Sequence, residues 1–438
     1  MARGSRRILW DVLEEHLEEA AFLWRQRERS LLAPDESLEE LASGDEARLH
    51  AHLRALSVGG ERVAERLLRP ALRGEEPTIV GPACWALLAS EGPGVAEVFE
   101  ALASLEDGSR AGLLRALELS GHPGLDEALR AIIPTQEARA RAEVLTVLTR
   151  RRADVSGLLA RDTWEAEPGW RSAALWGARL VPTSLAAPRV RRALDDASPT
   201  LREVAMLTGL IHHLREPWTR CRRALGQSGG VPGRVALLAH AISGGAREAE
   251  ALVGALALPG PRDEALWALG FCGRNVAAEA LLKVVEEEGS WLAADSFATI
   301  TGLPLDEDRF MEPWDDDAQE AGAAADLLEQ QLPGPPSTKR GVRGAQVAAW
   351  WREVRGRFDS RKRYLLGAPW TTEGLFAAME RVSLRRRSVL AWEVAVRSRG
   401  ACQVDPWTWS WGQRAQLAQA RSLKLVELSL ESVMTRET

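Results

Sequence analysis

The chain of 438 residues contains very little of several residue types. One residue is tyrosine, one is asparagine, and only four of the 56 basic residues are lysine. A GC-rich gene explains this bias, so the abundance of arginine is not by itself evidence of nucleic-acid binding. The four cysteines are scattered and form no C-x-x-C pair, which argues against a zinc site and against a disulfide framework.

The sequence also lacks a long hydrophobic run. No stretch near the N-terminus is apolar enough for a signal peptide, and no window approaches a membrane span. We therefore expect a cytoplasmic protein without a membrane span.

The sequence lacks the usual catalytic and cofactor motifs as well. It contains no G-x-S-x-G, no phosphate-binding glycine loop with its lysine, and no dinucleotide fingerprint. None of the seven histidines pairs with another at the four-residue spacing that places two ligands on one helix face. The many Asp and Glu residues could form an acid/base pair, but their spacing singles out none. We expect no cofactor, no metal and no enzymatic activity.

The charge is distributed unevenly along the chain. Residues from 338 onward hold nineteen Lys/Arg and nine Asp/Glu, so this part carries +10 and residues 1–337 carry −16 of the total −6. Ten acidic residues and one arginine lie between Asp306 and Glu329. Such a block is typically solvated, and the alternative is that it folds back on the basic C-terminal part.

A repeat of about thirty residues is the most informative pattern. The strings ALSVGG, ALELSG, ALGFCG and FATITG share one form: a small or apolar pair, three further residues and a glycine. Five further strings lie between them, namely ALLASE, VLTRRR, GARLVP, LTGLIH and AHAISG, and the nine strings follow one another at intervals of 29 to 32 residues. They begin at Ala55, Ala86, Ala116, Val147, Gly177, Leu207, Ala239, Ala268 and Phe297.

Each repeat has the same internal order. An apolar helix ends at a glycine or loop, and a second, amphipathic helix follows, as in LDEALRAI at residues 125–132. A pair of helices of this length cannot bury its apolar face alone, but stacked pairs can. The period therefore predicts an all-α fold, an α-solenoid.

Two segments carry a resemblance to a known repeat family. LDDASPTLREVAML at residues 194–207 and RGEEPTIVGPACWALL at residues 73–88 share an acidic turn, a proline and an alanine in the following helix. Pro77 and Pro199 suit the first turn of a helix, where no N–H is needed. These segments resemble the first helix of HEAT repeats. The resemblance to this family covers roughly residues 45–303, although the regular aspartate ladder of the family is lacking. The resemblance implies a fold and no particular activity.

The period ends at TGLPLD, and LPGPPSTKRG at residues 332–341 has the composition of a linker. Thr371 or Thr372 is expected to cap a later helix. The fold class predicted is a HEAT-like α-solenoid of about nine helix pairs plus a C-terminal helical module. The predicted parts are an N-terminal helical cap (1–44), the solenoid (45–303), an acidic, Pro/Gly-rich linker (304–342) and a basic C-terminal helical module (343–438).

The tail carries a narrower resemblance. TGLPLD, the acidic insertion, WW, RYLLGAPWT, RRRSVLAWEVAV and an aromatic stretch before GQRAQL occur in this order. The order is similar to that of a group of uncharacterised proteobacterial HEAT-repeat proteins, whose genes often lie beside type VI secretion genes. This implies a genomic neighbourhood more than an activity.

An arginine recurs at a fixed interval of 31 residues, which places it at the end of successive second helices. Second helices line the concave side of HEAT-like arrays, where partners bind, and guanidinium groups suit carboxylate or phosphate. The alternative is that arginine is simply favoured by the dipole at a helix C-terminus. The predicted partner-binding residues are Arg130, Arg161, Arg192 and Arg223, extended by Arg191 and Arg222.

The segment WTWSW places Trp407, Trp409 and Trp411 at alternate positions, the period of an extended strand. We expect it to press three indoles into the uncovered apolar end of the last solenoid units, before a final helix from Gln413 to about Leu430. The alternative is a platform on which bases stack. The clusters Arg150 to Arg152 and Arg385 to Arg387 are expected to be solvated helix ends.

Three functions of different classes remain at this point. The first is a non-catalytic adaptor or scaffold whose concave face binds an acidic segment of a protein partner. The resemblance of the tail extends this function to an accessory protein of type VI secretion. The second is a nucleic-acid-binding or glycosylase-like DNA-repair protein, which the −16 charge of residues 1–337 disfavours. An immunity or inhibitor protein is a third class, allowed by the suspected gene neighbourhood and supported by no residue.

Overall fold

The computed structural model describes residues 8–74, 76–90, 94–161, 163–226, 231–258, 260–312, 327–337, 340–423, 425–427 and 429–434. Contacts between residues divide the chain into two compact units. Unit 1 consists of residues 1–182 and 407–414, and unit 2 consists of residues 183–406 and 415–438.

Unit 1 is built from helices, and a π-helical turn at Ala64–Leu68 joins α4 to α5. Short 3-10 turns follow α9 at Ile133–Thr135 and α12 at Ala178–Leu180. The helices are α1 (Trp10–Ser30), α2 (Leu38–Ser43), α3 (Asp45–Val58), α4 (Gly60–Val63), α5 (Arg69–Leu72), α6 (Pro77–Ala89), α7 (Gly94–Ser104), α8 (Asp107–Leu119), α9 (Leu125–Ile132), α10 (Ala138–Arg150), α11 (Ser156–Leu159) and α12 (Pro168–Gly177).

Unit 2 begins with eight helices of the repeat and continues into the C-terminal elements. A 3-10 turn at Arg355–Arg357 follows α22, and residues 410–414 of α25 belong to unit 1. The helices are α13 (Thr183–Ala193), α14 (Pro199–Ile211), α15 (Arg215–Gly226), α16 (Arg234–Ser243), α17 (Ala246–Ala255), α18 (Arg262–Cys272), α19 (Asn275–Glu288), α20 (Trp291–Thr301), α21 (Leu327–Gln331), α22 (Gly344–Val354), α23 (Thr372–Arg381), α24 (Leu384–Arg397), α25 (Ser410–Ala420) and α26 (Leu430–Met434). The strands β1 (Tyr364–Leu365) and β2 (Ala368–Pro369) form an antiparallel hairpin.

The helices of each unit contact their neighbours in sequence order. In unit 1 the first helices α6, α8, α10 and α12 pack one after another, and α1 and α3 pack on α6. In unit 2 the first helices α14, α16, α18 and α20 also pack one after another. The second helices α15, α17 and α19 contact one another in a second series. Repeated contacts between successive helix pairs are the pattern of an α-solenoid. The predicted all-α solenoid fold is confirmed.

The glycine that closes several of the repeat strings ends a first helix. Gly244, Gly273 and Gly302 follow α16, α18 and α20 with φ of 73°, 72° and 73°. This left-handed conformation is common after the last helical residue and costs glycine no steric clash. Thr371 caps the start of α23, because its hydroxyl accepts a hydrogen bond from the Gly374 N–H at 2.9 Å, as predicted.

Gly273 has a second reason to be glycine, which gives a testable prediction. A Cβ atom at this position would lie 2.3 Å from the Tyr364 carbonyl oxygen, and the Tyr364 N–H donates to the Gly273 carbonyl at 2.7 Å. We expect Gly273→Ala to destabilise unit 2 by about 1–2 kcal/mol from the left-handed backbone and by a further 1–3 kcal/mol or so from the clash.

The matched control for this change is Gly289→Ala. Gly289 has φ of 62°, but its nearest neighbour, the Val342 carbonyl oxygen, is 3.3 Å from the position of an added Cβ. Urea unfolding followed by circular dichroism should show a clearly larger loss for Gly273→Ala. Equal losses would mean that the contact with Tyr364 contributes nothing.

The C-terminal elements are part of unit 2. Arg386 on α24 pairs with Asp295 on α20 at 2.9 Å, and its guanidinium lies 4.2 Å from the centre of the Trp267 ring on α18. The Trp392 indole N–H donates to the Leu207 carbonyl on α14 at 3.4 Å. Helix α24 therefore contacts the first helices of this unit. The division into four parts along the sequence remains a prediction. The two compact units are defined by contacts between residues.

The arginine clusters at residues 150–152 and 385–387 were expected to be solvated helix ends, and this expectation is wrong for five of the six residues. Arg152 is exposed, whereas Arg151 and Arg385 are half-buried. Arg150 is 5% exposed, Arg386 is 2% exposed and Arg387 is fully buried. Arg386 stays charged inside the unit because it forms an ion pair with Asp295 and contacts the Trp267 ring.

Most of the acidic block, residues 313–326, lies outside the described residues. Its described end contacts two arginines of unit 2. Glu329 forms an ion pair with Arg234, and its Oε1 accepts a hydrogen bond from Arg385 at 3.0 Å. The contact with Arg385 is of the kind that folding back on the basic C-terminal part requires.

Candidate functional site

The six predicted binding arginines lie on or just after second helices. Arg130 is on α9 and Arg161 follows α11, both in unit 1. Arg191 and Arg192 are near the end of α13, and Arg222 and Arg223 are near the end of α15, in unit 2. Arg130 is half-buried, and the other five are exposed.

Three of these arginines are engaged by the chain itself. Arg191 Nε is 2.8 Å from a Glu216 carboxylate oxygen, and Arg222 Nη1 is 2.7 Å from a Glu431 carboxylate oxygen. Arg130 donates to the backbone carbonyl of Asp154 at 3.0 Å. A partner would have to compete with these contacts.

Arg161 and Arg223 differ from those three. Among the residues that the structure describes, neither side chain has a hydrogen bond or ion pair. An exposed guanidinium without an internal partner keeps its donors available for a ligand.

Arg223 lines a cavity of about 470 Å³ formed by α15, α16 and α17 in unit 2, which we call the arginine cavity. Arg222, Arg223 and Arg247 supply three positive charges, and the buried Glu248 supplies one negative charge. Burial lowers the pKa of His240, which is therefore uncharged at neutral pH. The lining residues are Thr219, Arg222, Arg223, Leu225, Gly226, His240, Arg247, Glu248 and Ala251.

The segment from Trp407 to Arg414, here the tryptophan segment, packs differently from the sequence expectation. It is not a strand, because α25 already begins at Ser410. Trp407 and Trp409 are 8% and 4% exposed, but Trp411 is 49% exposed. The segment belongs to unit 1, so it does not cap the last solenoid units.

Buried arginines explain where the tryptophan segment packs. Arg27 on α1 is fully buried and donates to the carbonyls of Trp407 and Thr408 at 3.3 and 2.9 Å. Its guanidinium lies 4.5 Å from the centre of the Trp409 ring, and the Trp409 indole N–H donates to the Leu119 carbonyl at 2.9 Å. These acceptors and donors are in unit 1, which explains why the segment belongs to that unit.

Beside this segment lies a second cavity, of about 480 Å³, which we call the aromatic cavity. The His50 ring is 4.2 Å from the Trp411 ring and 5.6 Å from the Trp85 ring, measured between centroids. Burial lowers the pKa of His50 to about 4. The lining residues are Ala42, Glu46, Ala47, His50, Arg54, Trp85, Ser410 and Trp411. They come from distant parts of the chain with no shared spacing, so the sequence alone could not find them.

A third cavity, of about 620 Å³, lies in unit 2 and contains a perturbed carboxyl group. Burial raises the pKa of Glu203, although its carboxylate accepts a hydrogen bond from the Val235 N–H at 2.7 Å. Arg202, Arg220 and Arg234 also line this cavity. The spacing of acidic residues in the sequence did not single out Glu203, because its raised pKa results from burial in the fold.

Other chemical possibilities can be examined only within the described ranges. There, no three His, Cys, Asp or Glu side chains are grouped so that they could hold a metal ion. The four cysteines are buried, and burial raises the pKa of the Cys272 thiol to about 11, so this thiol is protonated at neutral pH. No described helix combines the length and apolar character needed to cross a bilayer.

Comparison with known proteins finds similarity to solved structures. No protein-family model matches the chain, and no curated protein matches it. The X-ray structure of YibA from Escherichia coli is 12% identical with a TM-score of 0.29, over 68% of this chain and 99% of that chain. Human deoxyhypusine hydroxylase in complex with glycerol is 14% identical with a TM-score of 0.20, over 65% and 94% of the two chains.

These matches correct one expectation. The chain was expected not to be an enzyme, but one of the matched structures is by its name a hydroxylase. The lack of catalytic motifs in an α-solenoid sequence led to the expectation that the chain is not an enzyme, and this inference is therefore wrong. A TM-score of 0.20 assigns no reaction to this chain, and the fold assignment rests on the helix contacts described above.

Proposed function

We propose that the protein is an interaction scaffold that binds an acidic segment of a protein partner at the arginine cavity of unit 2. The observation that carries the proposal is that Arg223 and Arg247 are exposed in this cavity and have no hydrogen-bond or ion-pair partner among the described residues. Repeat arrays commonly present such surfaces to extended partners.

The charge of the cavity favours carboxylates. Glu431 already neutralises Arg222, and the neutral His240 adds no charge. Arg223 and Arg247 then outweigh Glu248, which leaves one net positive charge on the lining. Each free guanidinium can bind a carboxylate through two parallel hydrogen bonds, which is stronger and more directional than the ammonium group of lysine.

Arg161 in unit 1 and Arg192 in unit 2 are proposed as additional, separate contacts for carboxylates, and Arg192 would have to exchange an interaction that it already makes. Both are exposed. The proposal also includes the accessory role in type VI secretion, for which the order of motifs in the tail is the support.

The test measures binding of a fluorescein-labelled octaglutamate peptide by fluorescence anisotropy at low salt. We expect the double variant Arg223→Glu, Arg247→Glu to bind at least ten-fold more weakly, because two attractive contacts become repulsive. The matched control is Arg352→Glu, Arg357→Glu, which changes two exposed arginines of unit 2 that do not line the cavity.

Unchanged peptide binding by a folded double variant would contradict the proposal. A single-stranded oligonucleotide of similar charge serves as a second probe. If the oligonucleotide binds, the peptide does not, and the affinity falls steeply with salt, the nucleic-acid function is supported instead.

A further inference from the structure

The anchoring of the tryptophan segment does not require all three of its indoles. Trp407 and Trp409 are buried against arginines of unit 1. Trp411 stacks on Trp409, with the ring centroids 5.0 Å apart and the planes inclined by 12°, yet it is 49% exposed. Its exposed surface lines the aromatic cavity. A large aromatic side chain held in one orientation by stacking is a preorganised contact for a flat ligand.

The shape of the aromatic cavity suits a small molecule. Its volume of about 480 Å³ lies within the range of roughly 300–1,000 Å³ typical of small-molecule sites. Trp85, His50 and Trp411 supply ring surface, and Ala42 and Ala47 leave space beside them.

The charges around the aromatic cavity select the sign of the ligand. Both carboxylate oxygens of Glu46 have partners within the unit. Arg27, which also pairs with Glu28, lies 2.9 Å from one oxygen, and the Ser410 N–H donates to the other at 2.7 Å. His50 is uncharged at neutral pH. Arg54 is exposed, and its side chain has no ion pair or hydrogen bond among the described residues. Of the charged side chains that line the cavity, Arg54 is therefore the one without a partner among the described residues, and its charge is positive.

We propose that the aromatic cavity binds a small planar aromatic molecule that carries an anionic group. Its ring stacks against Trp411, and its anionic group pairs with Arg54. A cationic aromatic ligand would be repelled by Arg54, and a neutral one would gain only the stacking contribution. This site is in unit 1 and is independent of the arginine cavity proposed above.

The test uses isothermal titration calorimetry with three probes of one ring system. We expect 2-naphthoate to bind, neutral 2-naphthylmethanol to bind roughly ten-fold more weakly, and cationic 2-naphthylmethylamine not to bind. Adenosine monophosphate is a fourth probe, which distinguishes a phosphate from a carboxylate as the preferred anionic group.

Two variants separate the contributions of the ring and the charge. Trp411→Ala should weaken both 2-naphthoate and 2-naphthylmethanol by roughly ten-fold, because both lose the stacking surface. Arg54→Gln should weaken 2-naphthoate by a similar factor and leave 2-naphthylmethanol unchanged. Phe22→Ala and Arg62→Gln are the matched controls, because these residues of unit 1 are exposed and do not line the cavity.

Three results would overturn the proposal. The first is that neither 2-naphthoate nor adenosine monophosphate binds to the wild-type protein. The second is that 2-naphthylmethylamine binds as tightly as 2-naphthoate. The third is that folded Arg54→Gln protein binds 2-naphthoate with unchanged affinity.

Discussion

Replacing Trp409 by alanine is expected to lower the free energy of unfolding of unit 1 by about 3–5 kcal/mol, the usual cost of removing a buried aromatic side chain. Trp409 is 4% exposed, contacts the guanidinium of Arg27, and donates its indole N–H to the Leu119 carbonyl. The change leaves a cavity, and both Arg27 and the carbonyl lose a partner. Hydrogen–deuterium exchange of peptides from α1 and α8 measures this loss locally.

The neighbouring indole provides the control. Trp411 is 49% exposed, so Trp411→Ala removes a stacking contact and little buried surface. Its expected cost is about 1 kcal/mol. If both variants exchanged at the wild-type rate in α1 and α8, the tryptophan segment would not be anchored to unit 1.

The tryptophan segment also shows where sequence patterns stop being informative. Alternating tryptophans predicted an extended strand, but the helix starting at Ser410 places Trp411 on α25. The position of the segment depends on Arg27, which is 380 residues away along the chain. No local period encodes a contact at that separation, so the sequence predicted an anchoring role without its correct location.

The repeat itself was predictable for a physical reason. The strings recur because each first helix must bury a similar apolar face and end at a comparable turn. The positive φ of Gly244, Gly273 and Gly302 is the conformation that this ending requires. Local rules of this kind act within a few residues, and a sequence displays them directly.

The arginine row was predictable in position but not in pairing. A spacing of 31 residues places Arg192 and Arg223 near the ends of second helices, where the structure has them. The partners of Arg191 and Arg222 are Glu216 and Glu431, which are set by packing between helices. Whether an arginine is available to a partner protein therefore depends on tertiary contacts.

Replacing Glu393 by glutamine is expected to have an effect of similar size in unit 2. Glu393 on α24 is fully buried and lies 2.7 Å from Arg397 Nε and 3.0 Å from Arg363 Nη2. Glutamine would leave two guanidinium groups without a buried counter-charge. Breaking such a pair by removing one partner typically costs about 3–5 kcal/mol. Urea unfolding and hydrogen–deuterium exchange of α24 measure this cost.

The pH dependence of this effect follows from the pKa of the carboxyl group. Burial alone would raise the pKa of Glu393, but the charges and hydrogen bonds of Arg363 and Arg397 outweigh burial and lower it. A carboxyl group with a lowered pKa in the folded state stabilises the protein fully above its unfolded pKa, about 4.3. This contribution is lost as the pH falls through the folded-state value.

The difference in stability between wild type and Glu393→Gln should therefore be constant from pH 7 to about pH 5.5 and decrease toward acid. Glu353→Gln on α22 is the control, because Glu353 is exposed and has no ion pair among the described residues. Its difference from wild type should stay near zero throughout. A Glu393→Gln difference that stayed constant down to pH 3 would mean that the carboxylate does not stabilise unit 2 through its charge. The buried arginines of α24 would then depend on their aromatic and carbonyl contacts, such as those with Trp370 and the Ile242 carbonyl.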